Sequence, residues 1–255
     1  ARRGPERGPH ARDPRKGRDL GDRAARGPGV TPGTRARDER PRDLGADALL
    51  RATAPLRVGE WLWTMREGAE RDLIEELVLR GSLSPRGAGP ALVISRAAPK
   101  NDAKDADARL DLTFARQGFP VAAVSRAQDE DQVARELAGP LAAELSNATS
   151  YVLQVFVPDS AQGNLLTSRA SAIEAALTRE LEAALPNAKP SDESELRRLT
   201  LPLVQVCVFT QDQAAAGVLS SDRALSLAPG GRTRVRLAGD FPSRAARKLE
   251  EALAW

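Results

Sequence analysis

The run YVLQVFVP (residues 151–158) constrains the fold of this chain more than any other stretch. Most of its residues are apolar, so a strand here has both faces buried and needs neighbours on each side. The next stretch, NLLTSRASAIEAALTRELEAALP, places Leu166, Ala170, Ile173, Leu177, Leu181 and Leu185 on one stripe with charges opposite, and Pro186 closes it. That is the pattern of an amphipathic surface helix. KPSDESELRR then reads as a linker-like loop, and LPLVQVCVF and AAAGVLSSD read as a hairpin pair across Thr210–Gln213. Ahead of this unit, DEDQVARELAGPLAAEL is helical, with Gly139-Pro140 expected to kink or split it.

A smaller strand-and-helix pattern precedes it. RVGEWLWTM alternates, with Val58, Trp61 and Trp63 as its bulk, and EGAERDLIEELVLRG sets Ala69, Leu73, Ile74, Leu77 and Val78 at helical steps before Gly81. PALVISR reads as a strand, KNDAKDADARLD as a polar loop, and LTFARQGF and PVAAVSRA as extended segments around Pro120. The expected fold class is α+β: a strand-helix unit at 55–118, then an α/β unit at 119–241.

Composition changes sharply near residue 46. Residues 1–46 carry 13 of the 38 Lys+Arg and 7 of the 35 Asp+Glu, a net of +6, so the whole-chain +3 leaves −3 for residues 47–255. With its repeated Gly and Pro and few aliphatic residues, this tail is disordered by composition. An arginine-rich arm either holds RNA phosphates or is simply solvated.

Several chemistries drop out. His10, in the tail, is the only histidine, which removes imidazole bases, Ser-His-Asp triads and histidine metal sites. The single cysteine, Cys207, sits mid-run as a buried small hydrophobe or a reactive thiol, and excludes a disulfide framework, which suits a reducing cytoplasm. No run approaches the roughly 20 apolar residues that span a bilayer, so no membrane partner is expected. The only methionine is Met65 and the first residue is Ala1, so a processed or fragmentary start is expected.

LAPGGRT (227–233) imitates a glycine-rich donor-binding loop, but RVRLAGD after it alternates like a strand, and a turn is the expected structure. On that strand Arg232, Arg234 and Arg236 share one face, forming either a phosphate rail or a solvated face.

At the C-terminus, FPSRAARKLEEALAW places Ala245, Ala246, Leu249, Ala252 and Leu253 in one helical sector with Lys248 just outside its edge. Physics alone reads Lys248 as a snorkelling lysine. However, PSRAARKLEEA resembles the Ser-Arg-x-x-x-Lys-Leu-x-Glu segment leading into the catalytic domain of the FtsJ-like ribose 2′-O-methyltransferases. The longer run RVRLAGDFPSRAARKLEEA resembles the RlmM type, the 23S rRNA cytidine 2′-O-methyltransferases. REGAERDLIEEL is similar to that family's first helix, and FARQ (114–117) to the segment joining its first unit to its THUMP domain.

The resemblance covers about residues 56–255. It implies a THUMP-like RNA-binding unit at 119–241 and, at 242–255, the first helix of a Rossmann-like methyltransferase domain. That domain's Asp-x-Gly strand and Pro-Gly-Gly-Trp loop are not in this sequence. The resemblance implies a catalytic role for Lys248, framing roles for Ser243, Arg244 and Glu251, and ribosomal RNA as partner. It also implies S-adenosylmethionine as cofactor of the complete enzyme and none bound by this chain. Arg232, Arg234, Arg236, Arg244 and Arg247 are the candidate RNA contacts. The rival reading is a stand-alone α+β binding or scaffold protein without catalysis.

Overall fold

The computed structural model describes residues 55–82, 84–97 and 111–232. Within them the chain is mixed α/β, with two sheets and four helices. The first sheet comprises β1 (Trp61–Met65), β2 (Arg86–Gly89), β3 (Leu92–Ser95) and β4 (Ala115–Pro120), in the order β2-β3-β1-β4 and antiparallel throughout. Helix α1 (Glu70–Leu79) packs Leu73, Ile74 and Leu77 against Trp63, Met65 and Val93 on one face of this sheet. Gly81, at φ 75°, ends the helix by taking the left-handed conformation that other residues avoid.

The second sheet comprises β5 (Ala123–Ser125), β6 (Ser150–Phe156), β7 (Lys189–Pro190), β8 (Pro202–Thr210) and β9 (Gln213–Ser220), in the order β5-β9-β8-β6-β7. β6 runs parallel to β7 and β8, and the β8–β9 hairpin is antiparallel, as is β5 on β9. Two helices, α2 (Glu130–Glu144) and, after the one-turn α3 (Ala161–Asn164), α4 (Thr167–Ala184), cover one face. There they bury Tyr151, Val204, Val206, Val208, Ala214 and Ala216. Asp129 caps α2 by accepting from Gln132 N at 2.8 Å, a contact worth about 1 kcal/mol.

The other face of the second sheet meets the back of the first. Leu62, Leu92, Ile94 and Phe119 pack there with Phe156, Cys207 and Ala215, and the Phe119 and Phe156 rings meet edge to face at 6.3 Å. β8 therefore has apolar neighbours on both faces, and Cys207 is a buried hydrophobe whose thiol burial pushes above its ordinary pKa. The end of β4 approaches β9 closely at Gly217, where a Cβ would overlap the Pro120 carbonyl oxygen.

Several sequence expectations need correction. Val58 is 64% exposed and Val78 is also exposed: Val58 precedes the strand, and Val78 lies off the helical stripe. The strand β2, written RGAG, has no β-branched residue to announce it. The stretch read as a linker contains β7 and a 3₁₀ turn, Glu193–Arg197, capped by Asp192.

Helix α2 is also continuous through Gly139-Pro140. Glycine before proline lacks the Cβ that makes helical backbone unfavourable there, so the helix continues at the cost of one hydrogen bond. Pro140 is exposed, so Pro140→Ala should restore the bond to the Glu136 carbonyl without disturbing the core. Thermal unfolding should show a stabilisation of roughly 1–2 kcal/mol, reduced from the full helix-interior penalty by the freer unfolded chain. An unchanged or lower midpoint would show that the helix does not need that bond.

Candidate functional site

The residues just before the run that carries the family resemblance lie where both sheets hold the backbone of residues 226–232. Leaving β9, residues 221–226 form no strand, and Pro229–Gly231 make a 3₁₀ turn with Gly230 and Gly231 at φ 60° and 68°. Both glycines are favoured by backbone angle, and Gly231 is also required by space. A Cβ on Gly230 would stand 3.1 Å from Phe156 Cδ2, and one on Gly231 would overlap the Arg116 carbonyl oxygen. LAPGGRT is thus a turn over its described residues, and no buried strand precedes it as a donor-binding loop requires.

Two glutamines grip the backbone of this segment. Gln117 of β4 donates through Nε2 to the Ser226 carbonyl at 2.8 Å, and Gln154 of β6 donates to the next carbonyl, Leu227, also at 2.8 Å. Both side chains are buried, so each bond replaces a lost water contact, and breaking either strands a polar group in the interior. One grip comes from each sheet.

An ion cluster closes the outer end. Asp159, just after β6, accepts from Arg116 of β4 through Oδ2 and pairs through Oδ1 with Arg232 Nη2 at 3.0 Å. Arg232 Nη1 also reaches Asn164 Oδ1 at 3.4 Å. The three side chains are 31%, 29% and 31% exposed (Arg116, Asp159, Arg232), so each pair contributes only about 1 kcal/mol. The Asp159 backbone meets Arg66 in a parallel bridge and accepts from Glu67 N at 3.3 Å. One carboxylate thus bridges two guanidiniums, and the Glu67 carboxylate lies beside the same segment, accepting from Ala161 N.

Of the sequence-predicted site residues, only Arg232 falls within the described part, and its guanidinium is committed to Asp159 and Asn164. Arg234, Arg236, Arg244, Arg247 and Lys248 lie outside the described residues, as do Ser243 and Glu251. Sequence reasoning missed Asp159, Gln154 and the roles of Arg116 and Gln117. The signal available was polar residues inside otherwise apolar strands, and FARQ supplies two of the four. Among the described residues no cluster of His, Cys, Asp and Glu could hold a metal ion, and no helix is long and apolar enough to cross a membrane.

No protein-family model and no curated protein matches the sequence. Among solved structures, the chain is similar to TrmN from Thermus thermophilus, with 20% identity and a TM-score of 0.39 over 66% of this chain and 47% of that one. It is also similar to a predicted N6-adenine-specific DNA methylase from Listeria monocytogenes, with 14% identity and a TM-score of 0.40 over 64% and 40%. A third likeness is to a 4-thiouridine synthetase in complex with RNA and ATP, with 11% identity and a TM-score of 0.35 over 64% and 42%. The chain spans less than half the length of each.

Proposed function

We propose that this chain is the RNA-recognising, N-terminal part of an S-adenosylmethionine-dependent rRNA ribose 2′-O-methyltransferase. Residues 55–118 form its first unit, 119–241 a THUMP-like RNA-binding unit, and 242–255 the first helix of the methyltransferase domain. The observation that carries this reading is one of position. Residues 226–232 are held against both sheets by Gln117, Gln154 and Asp159, and in sequence the methyltransferase-like run RVRLAGDFPSRAARKLEEA starts two residues after Arg232. A body that fixes the start of a catalytic segment is the arrangement a substrate-recognition domain requires.

In this reading Lys248 helps deprotonate the ribose 2′-hydroxyl, and Arg234, Arg236, Arg244 and Arg247 contact RNA phosphates. S-adenosylmethionine supplies the methyl group. In this reading its site lies in the methyltransferase domain. The alternative, a stand-alone scaffold, leaves the glycine turn and its ties to both sheets without a task.

Titration of a single-stranded rRNA fragment against salt tests the RNA role. Each phosphate neutralised on a single strand contributes a slope of about −0.7 to the logarithm of affinity against that of salt concentration. Binding with a clear negative slope, flattened by deleting residues 1–46, is expected. An unchanged slope after deletion would make the tail inert, and no salt-dependent binding would remove RNA as partner.

A further inference from the structure

A second feature borders the same segment at Leu227. A cleft of about 270 Å³ is lined by Leu196, Arg197, Arg198, Leu199, Asp222 and Leu227, with the Thr200 and Ser221 segments completing it. Leu227 is the residue whose carbonyl Gln154 holds, so one wall of the cleft is fixed by the buried grip. Leu196 is buried in the core beneath the 3₁₀ turn, whereas Leu199 stands 53% exposed.

Arg197 and Arg198 are exposed, and among the described residues no carboxylate pairs with either. The nearest acids in sequence are largely engaged: Asp192 accepts from Ser194 N to cap the turn, and Glu193 accepts from Gln154. Glu195 is left exposed to solvent.

We infer that this cleft takes one unstacked nucleotide of a single-stranded RNA whose base bears an exocyclic amine. The chemistry divides among three kinds of group. Leu199, with the edge of half-buried Leu227, offers an apolar surface to the face of a base. Arg197 and Arg198 offer two unpaired guanidiniums to its phosphates. The Asp222 carboxylate repels a phosphate but accepts from an amine such as cytosine N4, which uracil lacks. The volume is close to the lower limit of small-molecule sites, about 300 Å³, and suits one nucleotide rather than a helix. This assignment rests on the RNA-binding reading above and adds a site to it.

The test uses the full chain and fluorescein-labelled 12-nucleotide oligocytidine and oligouridine, titrated at several salt concentrations. The parent should prefer oligocytidine by at least about fivefold, the lower end expected for one good base contact. Asp222→Ala should bring that ratio to near one. Arg197→Ala with Arg198→Ala should flatten the salt slope by about 1.4, from two phosphates at about 0.7 each, and Arg197→Lys with Arg198→Lys should restore it. All of these residues are exposed, so thermal midpoints should stay within about a degree or two of the parent.

A parent with no preference between the two oligonucleotides, or a double alanine variant with the parent's slope, overturns the cleft while leaving RNA binding in place. A parent that binds neither oligonucleotide in a salt-dependent way overturns the RNA reading itself, and the cleft with it.

Discussion

Gly217→Val should leave no cooperatively folded protein at room temperature. Gly217 pairs with Gln205 in the β8–β9 ladder, where the second sheet passes against the end of β4. A Cβ there would overlap the Pro120 carbonyl oxygen and stand 2.9 Å from Phe119 Cδ2. The first obstacle is backbone, which cannot rotate away as a long side chain can. Relief requires separating the sheets and exposing the shared layer of Leu62, Ile94, Phe119 and Cys207. Overpacking in a core ordinarily costs about 1–3 kcal/mol, and a backbone obstacle at the sheet interface should exceed about 4 kcal/mol. That approaches the whole stability of a domain at the lower end of the usual range of about 5–15 kcal/mol. Circular dichroism with guanidinium unfolding reads the outcome: a midpoint equal to the parent's would mean the sheets are not in register contact at this point.

In an enzyme carrying both this chain and a donor-binding domain, Lys248→Ala should lower single-turnover methylation of an rRNA fragment by about 10² to 10⁴, with RNA and donor affinities nearly unchanged. A free lysine, with a pKa of about 10.4, is neutral only about once in a thousand at pH 7.4. A lysine that takes a proton from the 2′-hydroxyl therefore needs its pKa lowered, through desolvation at a domain junction and neighbouring positive charge. Lys248→Arg should fare little better, because a guanidinium stays protonated. If Lys248 is a snorkelling surface lysine, both variants keep nearly full turnover and lose a few tenths of a kcal/mol of stability at most. Rates within threefold of the parent would decide for that ordinary role.

The parts of this fold that were legible in the sequence are those whose physics is local. The stripe Ala170, Ile173, Leu177, Leu181 announces α4 because residues three and four apart share a helix face, and all four are buried. The β8–β9 hairpin follows from two apolar runs joined by a polar tip, and the LAPGGRT turn from its paired glycines. The candidate site was hidden because its contacts are long-range. Gln117 meets Ser226 across 109 residues and Gln154 meets Leu227 across 73. In sequence, each glutamine only interrupts an apolar strand, and a strand pattern does not say what lies above it. Arg232 was legible as a charge but not as a partner of Asp159, because pairing depends on how β4 and β6 are brought side by side.

The double grip on residues 226–232 also has a mechanical consequence. Strands that open one pair at a time yield to a pull at the edge, as a zipper does. Tension on the chain beyond Arg232 instead reaches Gln117 and Arg116 on one sheet and Gln154 and Asp159 on the other together. The load is shared between the two sheets. The turn works as a rivet through two plates, so a pull on it is met by both sheets rather than by the last hairpin alone.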